Sequence, residues 1–323
     1  MSVKSISPPQ SQMSPSADAV QDNLNVQDLE LMVQWCTNTY RSISYNTEVE
    51  SVWQTAVTRE AMKHPALMHG ILALSALHLA TMTGGSVTER YSKMATMHQD
   101  LALGGFKESF GDLNQSNCKA AFALCSLMTI CSLAFPLAAD KSDKRTSLED
   151  LCEAFRVAKN SMNVLADIVD LVENSELRPL LGKDDSGPKM PDTSRLAIMS
   201  LAMTNSRLAT RDPSHEKEIY ESTIAQLGES LEKLAQGREA TVVAFQWMYH
   251  IPSTFLDLVR ERRPFALVIL AHYAVILHFM RSRWWIGEWG SPVIQQIGQH
   301  LDSQWQQSIS WVVDATGCYI PST

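Results

Sequence analysis

The histidines and cysteines of this chain are the residues best suited to hold a metal or act as nucleophiles, so their spacing decides what chemistry is open to it. His69 and His78 lie nine residues apart, and His272 and His278 lie six apart. Two ligands on one helical face need a spacing of three or four, so neither pair makes a metal site alone. All four sit in apolar runs, where a histidine satisfied by core neighbours is the simpler role. Of Cys118, Cys125 and Cys131, only the first two share a helical face. No two of the six cysteines, which include Cys36, Cys152 and Cys318, form a C-x2-C knuckle. Free, buried thiols of a reducing compartment fit that scatter. G-x-S-x-G, H-E-x-x-H, Walker and dinucleotide-binding glycine patterns are all absent from the sequence. Asp184-Asp185 sits in a Gly/Pro loop without the third acid that magnesium-dependent terpene chemistry requires. The expectation is therefore no catalytic residue, no metal and no cofactor.

A different kind of site is suggested by Arg263 to Gly290, RPFALVILAHYAVILHFMRSRWWIGEWG, where a nearly all-apolar helix runs into a turn with three of the chain's eight tryptophans. One reading makes Trp284, Trp285 and Trp289 a lid sealing the core, with Gly287 and Gly290 where the chain bends sharply. The other makes them, with Phe279, the wall of an apolar pocket. There His272 or Tyr273 would offer the polar contact that suits a hydroxylated lipid.

Positioning such a turn requires helices, and the sequence supplies them. Leu29, Met32, Val33, Cys36 and Tyr40 form an amphipathic stripe, and a short helix follows around Glu50–Met62. Pro65 opens an apolar helix that Gly84-Gly85 ends; further helices fit Val87–Phe110 and Ser116–Phe135. Ser147 to Asp150 reads as a capping box for a helix reaching about Val172. Glu173–Pro191 is a flexible loop by composition. Asp212-Pro213 looks like a helix start, with Gly237 closing that helix. The remainder fits helices at Glu239–His250, Ser253–Arg262, Pro264–Met280 and Pro292–Val313. No strand alternation or internal repeat stands out, so the fold class is all-α. About ten helices form one domain over residues 25–318, behind a disordered Ser/Pro/Gln-rich tail over 1–24.

With 323 residues and 45% hydrophobic content, the chain has material for a sizeable core. A net charge of −8 gives no general attraction to nucleic-acid phosphates. Short mixed runs such as Arg260-Glu261-Arg262-Arg263 and Lys141–Arg145 read as solvated surface. Pro65–Met82 and Pro264–Met280 are at or below the length needed to span a bilayer and carry histidines, so no membrane span is expected. No signal peptide is visible at Met1.

Three blocks, in order, resemble the C-terminal regulatory domain of fungal binuclear zinc-cluster transcription factors, particularly the sterol uptake control type. The first is Asp28-Leu-Glu-Leu31, then Trp53-Gln54 and His64-Pro-Ala-Leu-Met-His-Gly-Ile-Leu-Ala-Leu-Ser-Ala-Leu-His78. The second is Tyr91, His98-Gln99-Asp100-Leu-Ala-Leu103 and Asn117-Cys118-Lys-Ala-Ala-Phe122; the third runs from Pro264 to Tyr273 and on to Trp284-Trp285 and Trp289-Gly290. The resemblance implies an all-α domain that senses a sterol-like lipid, pairs with a twin or another transcription factor, and acts in the nucleus, shuttling from the cytoplasm. The family's zinc cluster needs six closely spaced cysteines in a basic segment, whereas Cys36 already lies within the regulatory part. The expectation is therefore a regulator without direct DNA binding, either a shortened product or a stand-alone chain, in a setting such as a secondary-metabolite gene cluster. A lipid carrier without a transcriptional role and an enzyme acting on a terpenoid are the competing readings.

Overall fold

The computed structural model describes residues 25–138, 147–182 and 193–320. Among them every regular element is helical. Helices of eight residues or more are numbered here α1 (Val26–Gln34), α2 (Pro65–Met82), α3 (Ser86–Phe110), α4 (Cys118–Ala134), α5 (Leu148–Leu165), α6 (Ser194–Arg211), α7 (Lys217–Gln236), α8 (Ala240–His250), α9 (Ser253–Arg260), α10 (Pro264–Phe279) and α11 (Gly290–His300). The expected tail over 1–24 and residues 183–191 of the Glu173–Pro191 loop lie outside the described residues, as do Lys141–Arg145 and Asp184-Asp185; the described half of that loop includes a short 3-10 helix, Arg178–Leu181.

Two helices are apolar around most of their circumference and become the centre. On α2, Pro65 occupies the first turn, where its missing N–H costs nothing, and Ala66 through Ala80 is almost entirely buried. The helix packs closely on α4: a Cβ at Gly70 would lie 2.5 Å from Leu124 Cδ1. On α10, Phe265 through Leu277 is buried without interruption. One hydrophobic cluster runs from Leu31 to Cys318 and includes both helices. Pro65–Met82 and Cys118–Leu137 are long and apolar enough to cross a bilayer, yet 67% and 72% of them are buried within the fold, as core helices require.

The first segment is less regular than its stripe predicts. α1 continues directly into π-helical turns at Trp35–Thr39, and the short helix Thr47–Ser51 continues into another at Val52–Val57. These wider turns face one another. Trp35 Nε1 donates to Thr58 Oγ1 at 2.8 Å, and the Trp35 and Trp53 rings meet edge to face at 6.3 Å. Trp35 and Thr39, the first and last residues of the wider turn, both face inward.

Sequence punctuation succeeds at some ends and fails at others. The capping box is present: Ser147 Oγ accepts from Asp150 N, and Asp150 Oδ2 accepts from Ser147 N. Its helix ends at Leu165, and a separate short helix spans Val169–Glu173. Gly237, at φ +99°, closes α7 with its N–H on Leu234 O. Asp212, by contrast, ends a helix. It stands behind α6 in extended conformation, and its Oδ1 accepts from Ser214 N and Oγ, so α7 starts only at Lys217. The C-terminal run also breaks. Leu301 is extended, and Asp302 Oδ1 accepts from Gln304 N and Trp305 N to cap a new short helix, Ser303–Gln306. Ser147→Ala should lower unfolding free energy by about 1 kcal/mol in a denaturant titration, the usual cost of a lost N-cap.

Candidate functional site

The aromatic turn is fixed by its backbone before any side chain is considered. Met280 N–H still donates to Ile276 O as α10 ends; Arg283 N–H then reaches Met280 O, and Gly287 N–H reaches Arg283 O at 2.7 Å. Gly287 takes φ +46°, a region that a side chain disfavours. At Gly290 the constraint is contact. A Cβ there would lie 2.7 Å from His278 N, because the start of α11 is pressed against the end of α10.

From this turn, side chains reach four distant parts of the chain. Trp284 is half-buried; its indole stacks on the His78 ring at 4.4 Å and 13°, and its Nε1 donates to Ser42 Oγ at 2.8 Å. The neighbouring Arg283 donates to Ser44 O at 2.8 Å and to Glu239 Oε1 at 3.2 Å. Glu239 in turn caps α8 through Thr241 N. Trp289, fully buried, donates from Nε1 to Leu133 O at 2.8 Å. Trp285 is also fully buried and packs on Phe245 at 5.8 Å, while its Nε1 has no hydrogen-bond partner among the described residues.

The remaining candidates sit on α10 and diverge. Tyr273 stacks on Trp247 at 4.2 Å and 16°, touches Phe155, and donates its hydroxyl to Ala244 O at 3.2 Å. Burial raises its pKa far above the usual phenol range. His272, next along the helix, faces another way: its ring lies parallel to Trp311 at 5.5 Å, and Nδ1–H donates to Val268 O at 2.8 Å. Burial pushes its pKa down to about 4, so it is neutral at pH 7. Phe279 is half-buried against the core. Each of the six side chains thus has its own neighbours; among the described residues, no ring pair joins two of them.

Residues absent from the candidate set complete the arrangement. His78 Nδ1 accepts from Gln34 Nε2 at 3.3 Å and lies 3.0 Å from Thr39 Oγ1, and burial lowers its pKa to about 4. A histidine pair joins α2 to α3, with Nδ1 of His69 and His98 3.0 Å apart and His98 Nε2 3.3 Å from Asp28 Oδ1. The distant partners Gln34, Thr39 and Ser42 lay beyond local spacing; the legible signal was a histidine in an otherwise apolar helix. The described residues contain no cluster of three His, Cys, Asp or Glu side chains able to hold a metal.

Residues 30–178 match the model of the fungal specific transcription factor domain. Sterol uptake control protein 2 of Candida albicans is 27% identical over 225 residues, 66% of this chain and 29% of that protein. The protein of the same name from Saccharomyces cerevisiae is 24% identical over 79% of this chain and 28% of its own length. A Zn(2)-C6 fungal-type transcription factor of Gibberella zeae is 22% identical over 94% of this chain and 64% of its own length. The chain thus spans under a third of the two sterol uptake control proteins.

Gly290→Ala should cost at least about 2 kcal/mol of unfolding free energy, since the methyl group meets backbone. Acid should weaken the fold through His78 and His272. Their folded pKa values of about 4 lie below the unfolded value near 6.5, so the stability they contribute is complete above pH 6.5 and is lost as pH falls toward 4. Urea titrations at pH 7.5 and 4.5 should show a stability loss that is smaller by on the order of 2 kcal/mol in His78→Gln.

Proposed function

We propose that this chain is the regulatory part of a fungal transcriptional regulator that acts in the nucleus through protein contacts and does not itself bind DNA. The match of residues 30–178 to the fungal specific transcription factor domain carries this reading. Charge supports it: a net −8 does not favour a phosphate backbone. The whole chain fused to an unrelated DNA-binding module should change the output of a matching reporter several-fold, up or down. The unfused chain should not retard DNA at physiological salt. Tight, salt-sensitive DNA binding by the chain alone would contradict the reading. A pathway-specific target set, such as a secondary-metabolite gene cluster, belongs to the same proposal and is checked by which transcripts change on deletion of the gene.

A second element, an apolar sterol-like ligand at His272, Tyr273, Phe279, Trp284, Trp285 and Trp289, is favoured by one observation. Among the described residues Trp285 keeps a buried indole N–H without a partner, and a hydroxylated apolar molecule would satisfy it. Half-buried Trp284 and Phe279 form the edge of this group nearest solvent and would be the first to move. A fluorescent hydroxylated sterol should bind the intact chain and lose about tenfold in affinity on Trp285→Phe, which keeps the ring and removes the donor. Equal affinity would place the ligand elsewhere.

A further inference from the structure

Helix α6 has an inward face that is fixed and an outward face that nothing among the described residues covers. Inward, Ala197, Leu201 and Asn205 are buried four residues apart. Asn205 Nδ2 donates to Lys217 O at 3.0 Å, and its Oδ1 lies 2.7 Å from His215 Nε2. Ile198 reaches the neighbouring α7 where Gly228 leaves room; a Cβ there would be 3.1 Å away. The helix is therefore held in one rotational setting.

That setting places Arg195, Met199, Met203, Arg207 and Arg211 outward in a single row at i, i+4 spacing. Such rows are the ridges by which helices pack into one another's grooves. Met199 is 55% and Met203 65% exposed, and Leu196 beside them is 77% exposed. Three large apolar side chains on one helix face are a costly display in water, and methionine adapts well to a partner's shape. Charge identifies the partner. α6 carries three arginines and no acidic residue, in a chain of net charge −8. None of the three makes an ion pair among the described residues, and Arg207 bonds only within its helix, to Thr204 Oγ1.

We propose that this row is a docking face for an amphipathic helix of a partner protein, one with apolar anchors for Met199 and Met203 and acidic residues at both ends. A second copy of the chain is a poor occupant. Antiparallel pairing of two such rows sets Arg195 against Arg207 and Arg211, like charge against like. The face would be where the protein contacts proposed above are made. It rests on that reading only for its biological setting, because peptide binding and reporter output are separate measurements.

The test uses the full chain and a labelled synthetic peptide of about 16 residues, long enough for four helical turns. Leu recurs at i, i+4 and Glu fills the other positions; a companion peptide has Lys for every Glu. The acidic peptide should bind in the micromolar range, weaken as salt rises, and lose at least about tenfold in affinity in Met199→Glu/Met203→Glu. Arg207→Gln/Arg211→Gln should weaken it about threefold, with circular dichroism unchanged in both variants. No binding of the acidic peptide, or equal binding of the basic one, would overturn the proposal. So would a dimer in sedimentation that the methionine double variant dissolves, or binding only to phosphatidylserine vesicles.

Discussion

A helix that is apolar on every side cannot lie on a surface, and α10 is such a helix. Its unbroken buried run, Phe265 to Leu277, obliges the chain to wrap it with α7, α8, α9, α11 and the short helices beyond Ser303. Burial on all sides then dictates how its polar atoms behave. His272 turns to its own helix at Val268 O, Tyr273 reaches Ala244 O, and His272 becomes neutral because a charge there would go unsolvated. The aromatic rings of Trp247, Phe155 and Trp311 close the space around them.

Because α10 is enclosed, the turn after it is carried into the middle of the fold and fastens distant segments together. Arg283 and Trp284 hold Ser44 and Ser42 of the first irregular segment, Trp284 covers His78 of α2, and Trp289 holds the last turn of α4 through Leu133 O. All of those anchors lie within residues 30–178, the part that matches the fungal specific transcription factor domain. The turn itself lies more than a hundred residues past the match. The matched segment therefore owes part of its packing to chain outside it. The turn meets the first π-helical turn through His78, which stacks on Trp284 and lies 3.0 Å from Thr39 Oγ1.

Much of this was legible in sequence, and the failures have physical causes. Continuous apolar runs identified α2, α4 and α10, since nothing but burial stabilises such helices in water. The Ser147 capping box and Gly237 were readable because each acts within four residues of itself. α6 escaped notice because its two apolar faces, Ala197–Leu201 inward and Leu196–Met199–Met203 outward, blur the single stripe that periodicity detects. Asp212 misled because the same Asp side chain that caps a helix start also closes a turn, and Ser214 took the bond. The break at Leu301-Asp302 carried a readable signal, an Asp immediately before a helical run. At the candidate site, residue type correctly suggested that the histidines of the apolar helices would be satisfied. Their partners, Gln34 and Thr39 for His78, depend on tertiary structure and the π turn.

The aromatic turn fastens the N-terminal segments by direct contact, with the Trp284–His78 stack at its centre. A double-mutant cycle with His78→Ala, Trp284→Ala and the pair, followed by denaturant unfolding of the whole chain, measures that contact separately from each residue's other roles. A coupling energy of about 1 kcal/mol is predicted for a closely stacked pair of rings. Strict additivity of the two losses would contradict it, leaving the turn a local cover over α10 and nothing more.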